Sequence, residues 1–493
     1  MTIHKHSNWS SPLRILFVLK QSDYEPIGLM QLAAVLQQGG HEVRLTVVAT
    51  EDPVQVARAW QPDILAYSVW TGGQRYYMAL NRRLREHVNA FSAFGGPHAT
   101  FFPEMIEEDS LIDGVCVGEG EGALLDLANA LQSGALRYDL PNWHFRVRDG
   151  ADGAAGHEIV RNLVRPAILD MNALPMPDRA LIYDQDPVLR TSPIKHFITG
   201  RGCPYDCSYC FNHAWADIYH DVGRRVRRRS VDLVLDEIAQ VRERWPLGFV
   251  VFLDDTFTLQ KPWLAEFAEK YPQRIGLPFF CNVRVNLVTA ALARQLAGAG
   301  CFSVGIGIET ADDWLRNEIL KRNMSREQIV VACQTLRAAG IGVLTTNMIG
   351  LPGGSLELDI ETLKLNAECR PAFANAFLFQ PYPRTELGEY AARLGLLDGD
   401  INTIDTSAWN HTILKFPPAE KRQIENLQKL FAVTVEFPWL LPFTRRLLKL
   451  PPNPLFWLMH KLWKGYTIQQ RIHPVKWTWR EYVAMVRKFV KLE

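Results

Sequence analysis

The feature that most constrains this chain is an alternation of short apolar runs with stretches of helical spacing. In the first 120 residues the apolar runs lie at residues 15–19, 43–48, 64–69, 90–94 and 114–117. Helix-like stretches lie between them, and the first of these, residues 28–37, ends at Gly39-Gly40. Strands that alternate with helices predict a parallel sheet, because parallel neighbours need a long crossover connection. We therefore expect a doubly wound, Rossmann-like α/β domain over residues 1–140.

The alternation resumes near residue 194. Its apolar runs lie at residues 195–199, 249–253, 279–283, 303–308, 342–348 and 374–379. Six βα units in series predict a partial (β/α)6 barrel of the TIM type over residues 194–400, with its chemistry on the loops at the carboxyl ends of the strands. Residues 141–193 are rich in Pro, Gly, Asp and Ala and predict a linker with one small hairpin. Residues 401–493 show helical patterns broken by prolines, which predicts a mainly helical C-terminal region.

Charge is distributed unevenly along the chain. Residues 415–493, called the basic tail below, hold 15 Lys or Arg against 5 Asp or Glu, while the rest holds 39 against 48. The basic tail also holds five of the 14 tryptophans. The overall net charge of +1 gives no reason to expect a nucleic-acid partner. Basic residues interleaved with tryptophan are typical of a helix at an anionic membrane surface; the alternative is a helical cap over the substrate cavity with a solvated charged face.

No targeting segment is expected from the sequence. Residues 1–12 are polar and lack the apolar core of a secretory signal. The longest apolar stretch, residues 431–443, is broken by Glu436 and two prolines and is too short to span a bilayer. The sequence predicts a cytoplasmic protein, which would lie peripherally at the inner face of the membrane if the tail binds lipid. In that reducing compartment the eight cysteines are expected to be free thiols.

The most specific local signal is a C-x3-C-x2-C cluster formed by Cys203, Cys207 and Cys210, just after the first strand of the predicted barrel. Three thiolates in one short loop can bind three corners of a cubane iron–sulfur cluster. The fourth iron then keeps the open coordination site that reactive metal centres need. A structural zinc site with His213 as fourth ligand is the alternative on spacing alone.

In this context the cysteine cluster resembles the hallmark of the radical S-adenosylmethionine superfamily, with Tyr209 as the aromatic residue before the third cysteine. Later segments are similar to that family's strand motifs in the same order, at residues 304–310, 347–353 and 379–385. The resemblance implies that the three clustered cysteines ligate a 4Fe-4S cluster. It implies contacts with S-adenosylmethionine at Tyr209, Arg284, Glu309, Asn347 and Gly350.

Four acidic or basic residues near the strand ends have more specific expectations. Arg284 follows the third barrel strand and is expected to pair with the methionyl carboxylate of S-adenosylmethionine, the alternative being a salt bridge at the barrel rim. By resemblance, Glu309 contacts the nucleoside. Asp254 and Asp255 follow the second barrel strand, where they bind substrate or ribose, or cap the next helix.

The first domain is similar to the cobalamin-binding domain that precedes one large class of these enzymes. The matching features are residues 26–34, the segment that contains Gly95, Gly96 and His98, and the run Gly118, Glu119, Gly120 and Glu121. The resemblance also implies that the loop of Ser68, Val69, Trp70 and Thr71 contacts cobalamin. The alternative for the small residues among them is tight packing in an ordinary nucleotide-binding fold. The Asp-x-His-x-x-Gly motif that supplies a cobalt-ligating histidine in the mutases is absent from the sequence. We therefore expect base-off cobalamin without a histidine ligand, its lower face on residues 68–71 and Trp70 keeping water from the metal.

The resemblance implies an enzyme that methylates an unactivated carbon. One S-adenosylmethionine methylates cob(I)alamin, a second yields a 5′-deoxyadenosyl radical, and the substrate radical takes the methyl group from methylcobalamin. An external one-electron reductant of the flavodoxin or ferredoxin type and a small or lipid-linked substrate are implied as partners. Relatives that use the same cofactors for ring closure or oxidation make a radical cyclase or oxidase the first alternative. A non-catalytic, zinc-stabilised cobalamin sensor or scaffold is the second.

Overall fold

The computed structural model describes residues 11–148, 157–219, 226–398 and 411–492. These residues form two compact units. The first unit contains the described residues up to Thr191, together with residues 215–219 and 484–492. The second contains residues 192–214 and the described residues from 226 to 483. Each unit is built around its own sheet.

Seven strands form the sheet of the first unit. They are β1 (Arg14–Leu19), β2 (Glu42–Val47), β3 (Ile64–Ser68), β4 (Phe91–Gly95), β5 (Gly114–Cys116), β6 (Trp143–Arg148) and β7 (His157–Arg161). Their spatial order is β2-β1-β3-β4-β5-β6-β7, and the first five are parallel. The strand order reverses between β1 and β3, the kind of switch point at which open sheets leave a crevice outside their carboxyl ends. The doubly wound α/β fold expected for the first domain is confirmed.

Among the described residues of the first unit, eight α-helices lie in the part that ends at Thr191. They are α1 (Ile27–Gln38), α2 (Pro53–Trp60), α3 (Gln74–Arg85), α4 (Gly96–Phe101), α5 (Met105–Glu108), α6 (Glu121–Gln132), α7 (Ala180–Tyr183) and α8 (Pro187–Thr191). α1 packs against α6, and α2 packs against α3. β1 and β3 are buried along nearly their whole length, as expected for strands covered on both faces.

The hairpin expected within residues 141–193 is present as β6 and β7, which pair antiparallel. The hairpin is part of the first sheet, because β6 also pairs antiparallel with β5. Trp143 and Phe145 of β6 are fully buried and stack on each other with ring centroids 5.7 Å apart. Two buried aromatic side chains therefore attach the expected hairpin to the core of the first unit.

Six parallel strands form the main sheet of the second unit, accompanied by a short antiparallel pair. The strands are β8 (Ile194–Phe197), β9 (Gly200–Arg201), β10 (Arg227–Arg228), β11 (Phe249–Phe252), β12 (Phe279–Asn282), β13 (Cys301–Glu309), β14 (Gly342–Ile349) and β15 (Phe373–Leu378). β9 pairs with β10, and the main sheet has the order β15-β14-β13-β12-β11-β8. Its edges are β15 and β8, which agrees with the partial barrel expected from six βα units.

The remaining helices follow these strands and then form the C-terminal region. They are α9 (Phe211–Ile218), α10 (Val231–Arg244), α11 (Lys261–Arg274), α12 (Ala290–Gly298), α13 (Arg326–Ala338), α14 (Leu356–Cys369), α15 (Glu386–Arg393), α16 (Pro418–Glu436), α17 (Leu441–Leu447), α18 (Pro454–Thr467) and α19 (Trp479–Leu492). Ser325 and Gln328 form a reciprocal capping box at the start of α13, which stabilises a helix end by about 1 kcal/mol. The mainly helical C-terminal region is confirmed.

Helix α16 covers the edge of the second sheet. Ile424 and Leu427 of α16 join a buried apolar cluster with Ala374 and Ala376 of β15. The Gln428 side chain donates to the Ala376 carbonyl oxygen at 3.2 Å. Covering an edge strand in this way removes a template for unwanted strand pairing.

Residues 468–475 lie at the amino ends of the second sheet. Ser303 Oγ, near the start of β13, donates to the Ile472 carbonyl oxygen at 2.7 Å. The His473 ring packs 5.1 Å from Phe249 and 5.3 Å from Phe280, each at or near the start of its strand. This part of the basic tail therefore packs at the end of the sheet opposite the loops that follow the strands. A cap over the substrate cavity, the alternative expected for the tail, would lie at the other end.

Within the four described ranges, no helix is both long enough and apolar enough to cross a bilayer.

Candidate active site

The carboxyl ends of the second sheet surround a cavity of about 210 Å³. Its lining residues come from the loop after β8 and from β11 to β14 and the segments that follow them. They are Cys203, Cys207, Tyr209, Cys210, Asn212, Asp255, Thr256, Asn282, Val283, Arg284, Gly305, Ile306, Gly307, Glu309, Arg322 and Thr346. The structure thus brings together all three cluster cysteines and three of the five residues expected to contact S-adenosylmethionine.

Buried polar contacts hold the cysteine loop beside β11. The backbone N–H and hydroxyl of Thr199 donate to the Asp254 carboxylate at 3.0 and 2.6 Å. Further along the loop, Ser208 Oγ donates to the Ile319 carbonyl oxygen at 2.6 Å. Burial raises the pKa of Asp254, and Arg228, 3.9 Å away, opposes that rise. Asp254 therefore positions the loop and caps no helix, since the cap position of α11 is Gln260.

The cysteine side chains face the cavity in a setting rich in positive charge. The Nη1 atoms of Arg284 and Arg322 lie 3.4 and 3.5 Å from the sulfur of Cys207. Hydrogen bonds to a cysteine sulfur are among the contacts that tune an iron–sulfur cluster. Burial raises the pKa of Cys203, and it raises that of Cys210 to about 11, so loading with iron must displace protons from these thiols.

The thiols suit a cubane better than a single ion. No group of three or more His, Cys, Asp and Glu side chains in the described ranges is close enough to hold one metal ion. A cubane takes each thiolate to a different iron, so its ligands need not converge on one point. The cysteine loop therefore fits the expected cluster through Cys203, Cys207 and Cys210.

A second group of cavity residues forms a hydrogen-bonded network around Glu309. The Tyr209 hydroxyl donates to Glu309 Oε1 at 3.2 Å and accepts from Arg322 Nη1 at 2.9 Å. Burial raises the pKa of Glu309, and Arg322 opposes that rise. Burial and the neighbouring Glu309 raise the pKa of Tyr209, so its phenol stays protonated and acts as the donor. The network joins the cysteine loop to the end of β13.

The backbone of β13 is adapted to this network. Glu309 has a φ of +68°, which turns the strand end toward the cavity. A methyl group at Gly307 would collide with the Glu309 carboxylate and lie 2.8 Å from Arg322 Nη2. Arg322 Nη2 also donates to the Gly307 carbonyl oxygen at 2.6 Å. Glycine at 307 is therefore required for the carboxylate and guanidinium to lie over the strand.

The Arg284 guanidinium contacts a cysteine sulfur, a backbone carbonyl oxygen and an aromatic ring. Its Nη2 donates to the Arg322 carbonyl oxygen at 2.5 Å, and its guanidinium lies 3.8 Å from the centroid of the Tyr205 ring. These contacts, together with Cys207, take the place of the rim salt bridge that was the alternative expectation. The Nε atoms of both Arg284 and Arg322 are buried without a hydrogen-bond partner among the described residues. Unused buried donors of this kind suit an anionic ligand.

Asn347 and Gly350 lie outside the cavity. The Asn347 side chain is fully buried on the other face of β14, where it exchanges hydrogen bonds with Asn366 at 3.2 and 2.7 Å. Gly350 has a φ of +67°, and its N–H donates to the Asp359 carboxylate at 3.0 Å. The neighbour of Asn347, Thr346, lines the cavity instead and approaches Glu309 Oε1 at 3.5 Å. Successive side chains of a strand point to opposite faces, so Thr346 faces the cavity while Asn347 faces away from it.

Arg322 and Thr346 are among the cavity residues that the sequence did not indicate. Arg322 lies in an irregular segment between two residues with positive φ, Lys321 and Asn323. No strand, glycine motif or spacing marks that segment in the sequence. The strand pattern of residues 342–348 predicts β14 but not which alternate residues face the ligand.

In the first unit, the strand-end loops expected to hold cobalamin are joined to one another. The N–H of Val69 donates to the Gly95 carbonyl oxygen at 2.8 Å, and the N–H of His98 donates to the Val69 carbonyl oxygen at 2.8 Å. Gly96 has a φ of +89°, and a methyl group there would lie 2.7 Å from the Val69 nitrogen. This close backbone approach leaves no room for a side chain at position 96 and requires glycine there. Ser68 and Thr71 flank Val69 and Trp70 in the same loop.

His98 is a buried structural side chain in this arrangement. Its Nδ1 lies 3.2 Å from the Thr71 hydroxyl, and its ring stacks on Phe102 with centroids 4.8 Å apart. Trp70 is 36% exposed, and its ring packs edge-on against Tyr77. The loop therefore presents Trp70 at its surface and keeps His98 beneath it.

The residues from Gly118 to Glu121 form a separate part of the first unit. A methyl group at Gly118 would collide with the Tyr219 hydroxyl, which also accepts from the Glu119 N–H at 2.6 Å. Gly120 allows Leu32 of α1 to pack closely. Glu119 and Glu121 are buried and line another cavity, of about 260 Å³, with Arg165 and Gln38. Tight packing accounts for both glycines.

Comparison with known protein families gives two matches. Residues 197–365 match the radical SAM superfamily, and residues 14–128 match the B12 binding domain. The first match contains the cysteine loop and the cavity, and the second contains the five parallel strands of the first sheet.

Individual relatives are similar to this chain over most of its length. The chain is 29% identical over 389 residues to an uncharacterized methyltransferase of Pyrococcus horikoshii, a match that covers 76% of this chain and 79% of that protein. It is 27% identical to the anaerobic magnesium-protoporphyrin IX monomethyl ester cyclase of Rubrivivax gelatinosus, across 74% of this chain and 66% of the cyclase. The fold is shared with the cobalamin-dependent S-adenosylmethionine radical enzyme OxsB, with a TM-score of 0.67 and 16% identity across 98% of this chain and 75% of that one.

Proposed function

Because this chain belongs to the cobalamin-dependent radical S-adenosylmethionine enzymes, we propose that it methylates an unactivated carbon of a small-molecule substrate. The observation that carries the proposal is the single cavity that joins Cys203, Cys207 and Cys210 to Arg284, Glu309 and Arg322. An iron-binding loop and a charged ligand pocket lie within one space. The alternative of a non-catalytic, zinc-stabilised scaffold does not require a charged ligand pocket beside the cysteines.

The charges of the cavity suit the amino-acid end and the ribose of S-adenosylmethionine. Arg284 and Arg322 each offer an unused buried Nε donor to a carboxylate. Glu309 offers an acceptor to a hydroxyl or an ammonium group. We assign S-adenosylmethionine to this cavity, with contacts from Arg284, Glu309, Arg322 and Tyr209. The position of Asn347 on the opposite face of β14 leaves its side chain out of this set.

The bound groups and the protein divide the chemistry between them. When bound, the cluster and S-adenosylmethionine supply a radical that removes a hydrogen atom from the substrate, and cobalamin supplies the methyl group. The three cysteines hold iron, while Arg284 and Arg322 orient a carboxylate beside them. Tyr209 fixes the rotamer of Glu309 by hydrogen bonding. Val283 and Ile306 line the same cavity with apolar surface and exclude water from it.

A second candidate function is a radical ring closure or oxidation with the same cofactors. The similarity to the anaerobic cyclase is the observation that favours it. Turnover with S-adenosylmethionine labelled in its methyl group separates the two functions, because only methyl transfer moves the label into the product.

We propose that the first unit binds cobalamin base-off, without a histidine on cobalt. Support comes from His98, which is buried, stacked on Phe102 and close to the Thr71 hydroxyl. We expect the cob(II)alamin form to give a paramagnetic resonance spectrum without nitrogen hyperfine splitting, and His98→Ala to leave that spectrum unchanged. A clear nitrogen splitting that disappears in His98→Ala would refute the proposal.

The proposal also includes two partners, an electron donor and a membrane surface. The first is an external one-electron reductant of the flavodoxin or ferredoxin type, because reductive cleavage of S-adenosylmethionine consumes one electron. This partner is tested by comparing the amount of product formed with the reduced protein carrier and the amount formed with a chemical reductant. The second proposed partner is an anionic membrane, with which the protein would associate peripherally and so reach a lipid or lipid-linked substrate. The residues that support this association lie in the basic tail.

A further inference from the structure

The exposed side of the C-terminal helices is unusually apolar. Twenty large apolar side chains in the described ranges are exposed, and nine of them lie within residues 437–466. Exposed apolar residues scattered singly are normal on a protein surface, whereas a dense group marks an interaction site. This group, called the tail face below, belongs to α17, α18 and the segments beside them.

Helix α18 shows how the tail face is arranged. Leu455, Leu458, Leu462 and Tyr466 recur at intervals of three and four residues, which places them along one side of the helix. Their exposed fractions are 71%, 46%, 66% and 53%. Phe456, on another side of the helix, is buried in the cluster that includes Ile424 of α16. α18 therefore has one apolar side that packs into the second unit and another that points outward.

Basic residues outnumber acidic residues in the segment that carries this outward side. Eight Lys or Arg and no Asp or Glu occur between Glu436 and Glu481. Arg445 and Arg471 are paired with Glu357 and Glu436. Arg446, in α17, and Lys449, in the segment that joins α17 to α18, are both exposed. Positive charge around exposed leucine and aromatic side chains is the composition of a surface that binds anionic lipid.

The lengths of the helices decide between lying on a membrane and crossing it. α18 has 14 residues, so it is about 21 Å long and shorter than the ~30 Å apolar core of a bilayer. Prolines 451 and 452 lie in the segment that separates it from α17. A second copy of the chain is a poor occupant, because two tail faces would bring like charges together. We propose that the tail face binds the surface of an anionic membrane, with the leucines of α18 inserted among the lipids.

Vesicle flotation with the reconstituted full-length protein tests this proposal. Without S-adenosylmethionine or substrate, the protein should float with vesicles of phosphatidylcholine and phosphatidylglycerol at about 50 mM salt. It should bind far less to phosphatidylcholine alone or at about 500 mM salt, where charges are screened. Because no turnover is involved, the result stands apart from the proposed methyl transfer.

Two variant pairs locate the contact. Leu458→Glu/Leu462→Glu should lower the partition coefficient by about tenfold or more per residue. Its matched control is Val331→Glu, on the outward side of α13, where Val331 is 51% exposed. Arg446→Gln/Lys449→Gln should lower binding about 25-fold at low salt, since each charge near an anionic leaflet contributes about fivefold. Arg294→Gln, an exposed arginine of α12, is the control for charge.

Three outcomes would overturn the proposal. The first is a folded wild-type protein that does not bind anionic vesicles at low salt. The second is binding that survives Leu458→Glu/Leu462→Glu unchanged. The third is a wild-type dimer that these substitutions convert to a monomer, which would make a second copy the occupant. If the glutamate variant does not fold, as judged by circular dichroism, Leu458→Ser/Leu462→Ser carries the same expectation without adding charge.

Discussion

Replacing Cys207 with alanine is expected to abolish 5′-deoxyadenosine formation. Cys207 is buried, and its sulfur lies 3.4 and 3.5 Å from the guanidinium groups of Arg284 and Arg322. The substitution removes the ligand of one iron and leaves two buried cations without their sulfur partner. Iron content after anaerobic reconstitution should fall below four per chain, and mass spectrometry should detect no 5′-deoxyadenosine.

The matched control for this substitution is Cys333→Ala. Cys333 is also a fully buried thiol of the second unit, but it belongs to the apolar core beside α13. The Cys333→Ala substitution should lower the free energy of unfolding by about 1 kcal/mol and leave iron content and product formation near the wild-type level. If Cys207→Ala formed 5′-deoxyadenosine at the wild-type rate, the assignment of the cluster to this loop would be wrong.

Replacing Arg322 with methionine is expected to lower the free energy of unfolding by about 3–5 kcal/mol and to prevent binding of S-adenosylmethionine. Arg322 is 6% exposed and contacts Tyr209, Cys207 and the Gly307 carbonyl. Removing one partner of a buried charge pair leaves the other charge uncompensated. Burial already raises the pKa of Glu309 and Arg322 opposes that rise, so its loss drives Glu309 toward the protonated form.

A surface arginine of the next helix provides the control. Arg326 pairs with Glu368, and both side chains are more than 40% exposed. Arg326→Met should cost less than about 1 kcal/mol, because exposed ion pairs contribute little. Adding Glu309→Gln to Arg322→Met should restore part of the lost stability, measured by chemical denaturation, without restoring ligand binding. Equal effects of Arg322→Met and Arg326→Met on stability and binding would contradict the role given to Arg322.

Local patterns in the sequence predict most of the strands and the centre of the site. The run at residues 64–69 corresponds to β3, and the run at 342–348 corresponds to β14. Apolar periodicity is a local property, and burial on both faces of a parallel sheet preserves it. The cysteine loop and Glu309 are likewise marked by short, ordered motifs.

The remaining site residues depend on contacts that are distant in the sequence. Arg322 reaches the cavity from an irregular segment, and its partner Tyr209 lies 113 residues away. Whether Thr346 or Asn347 faces the ligand depends on the orientation of β14, which its own residues do not set. The position of residues 468–475 beneath the second sheet rests on contacts such as the one between Ser303 and Ile472, 169 residues apart. Such placements follow from the packed fold and not from any local pattern.

The most direct test of methyl transfer is the set of products formed in one anaerobic, reduced reaction. The protein is loaded with iron, sulfide and cobalamin and given S-adenosylmethionine with a deuterated methyl group and a substrate extract. We expect S-adenosylhomocysteine and 5′-deoxyadenosine together, with the deuterated methyl group in a new product, and no S-adenosylhomocysteine when cobalamin is omitted. Formation of 5′-deoxyadenosine alone, with no label in any product, would contradict methyl transfer and favour ring closure or oxidation, and a colourless protein holding one zinc would contradict the radical mechanism itself.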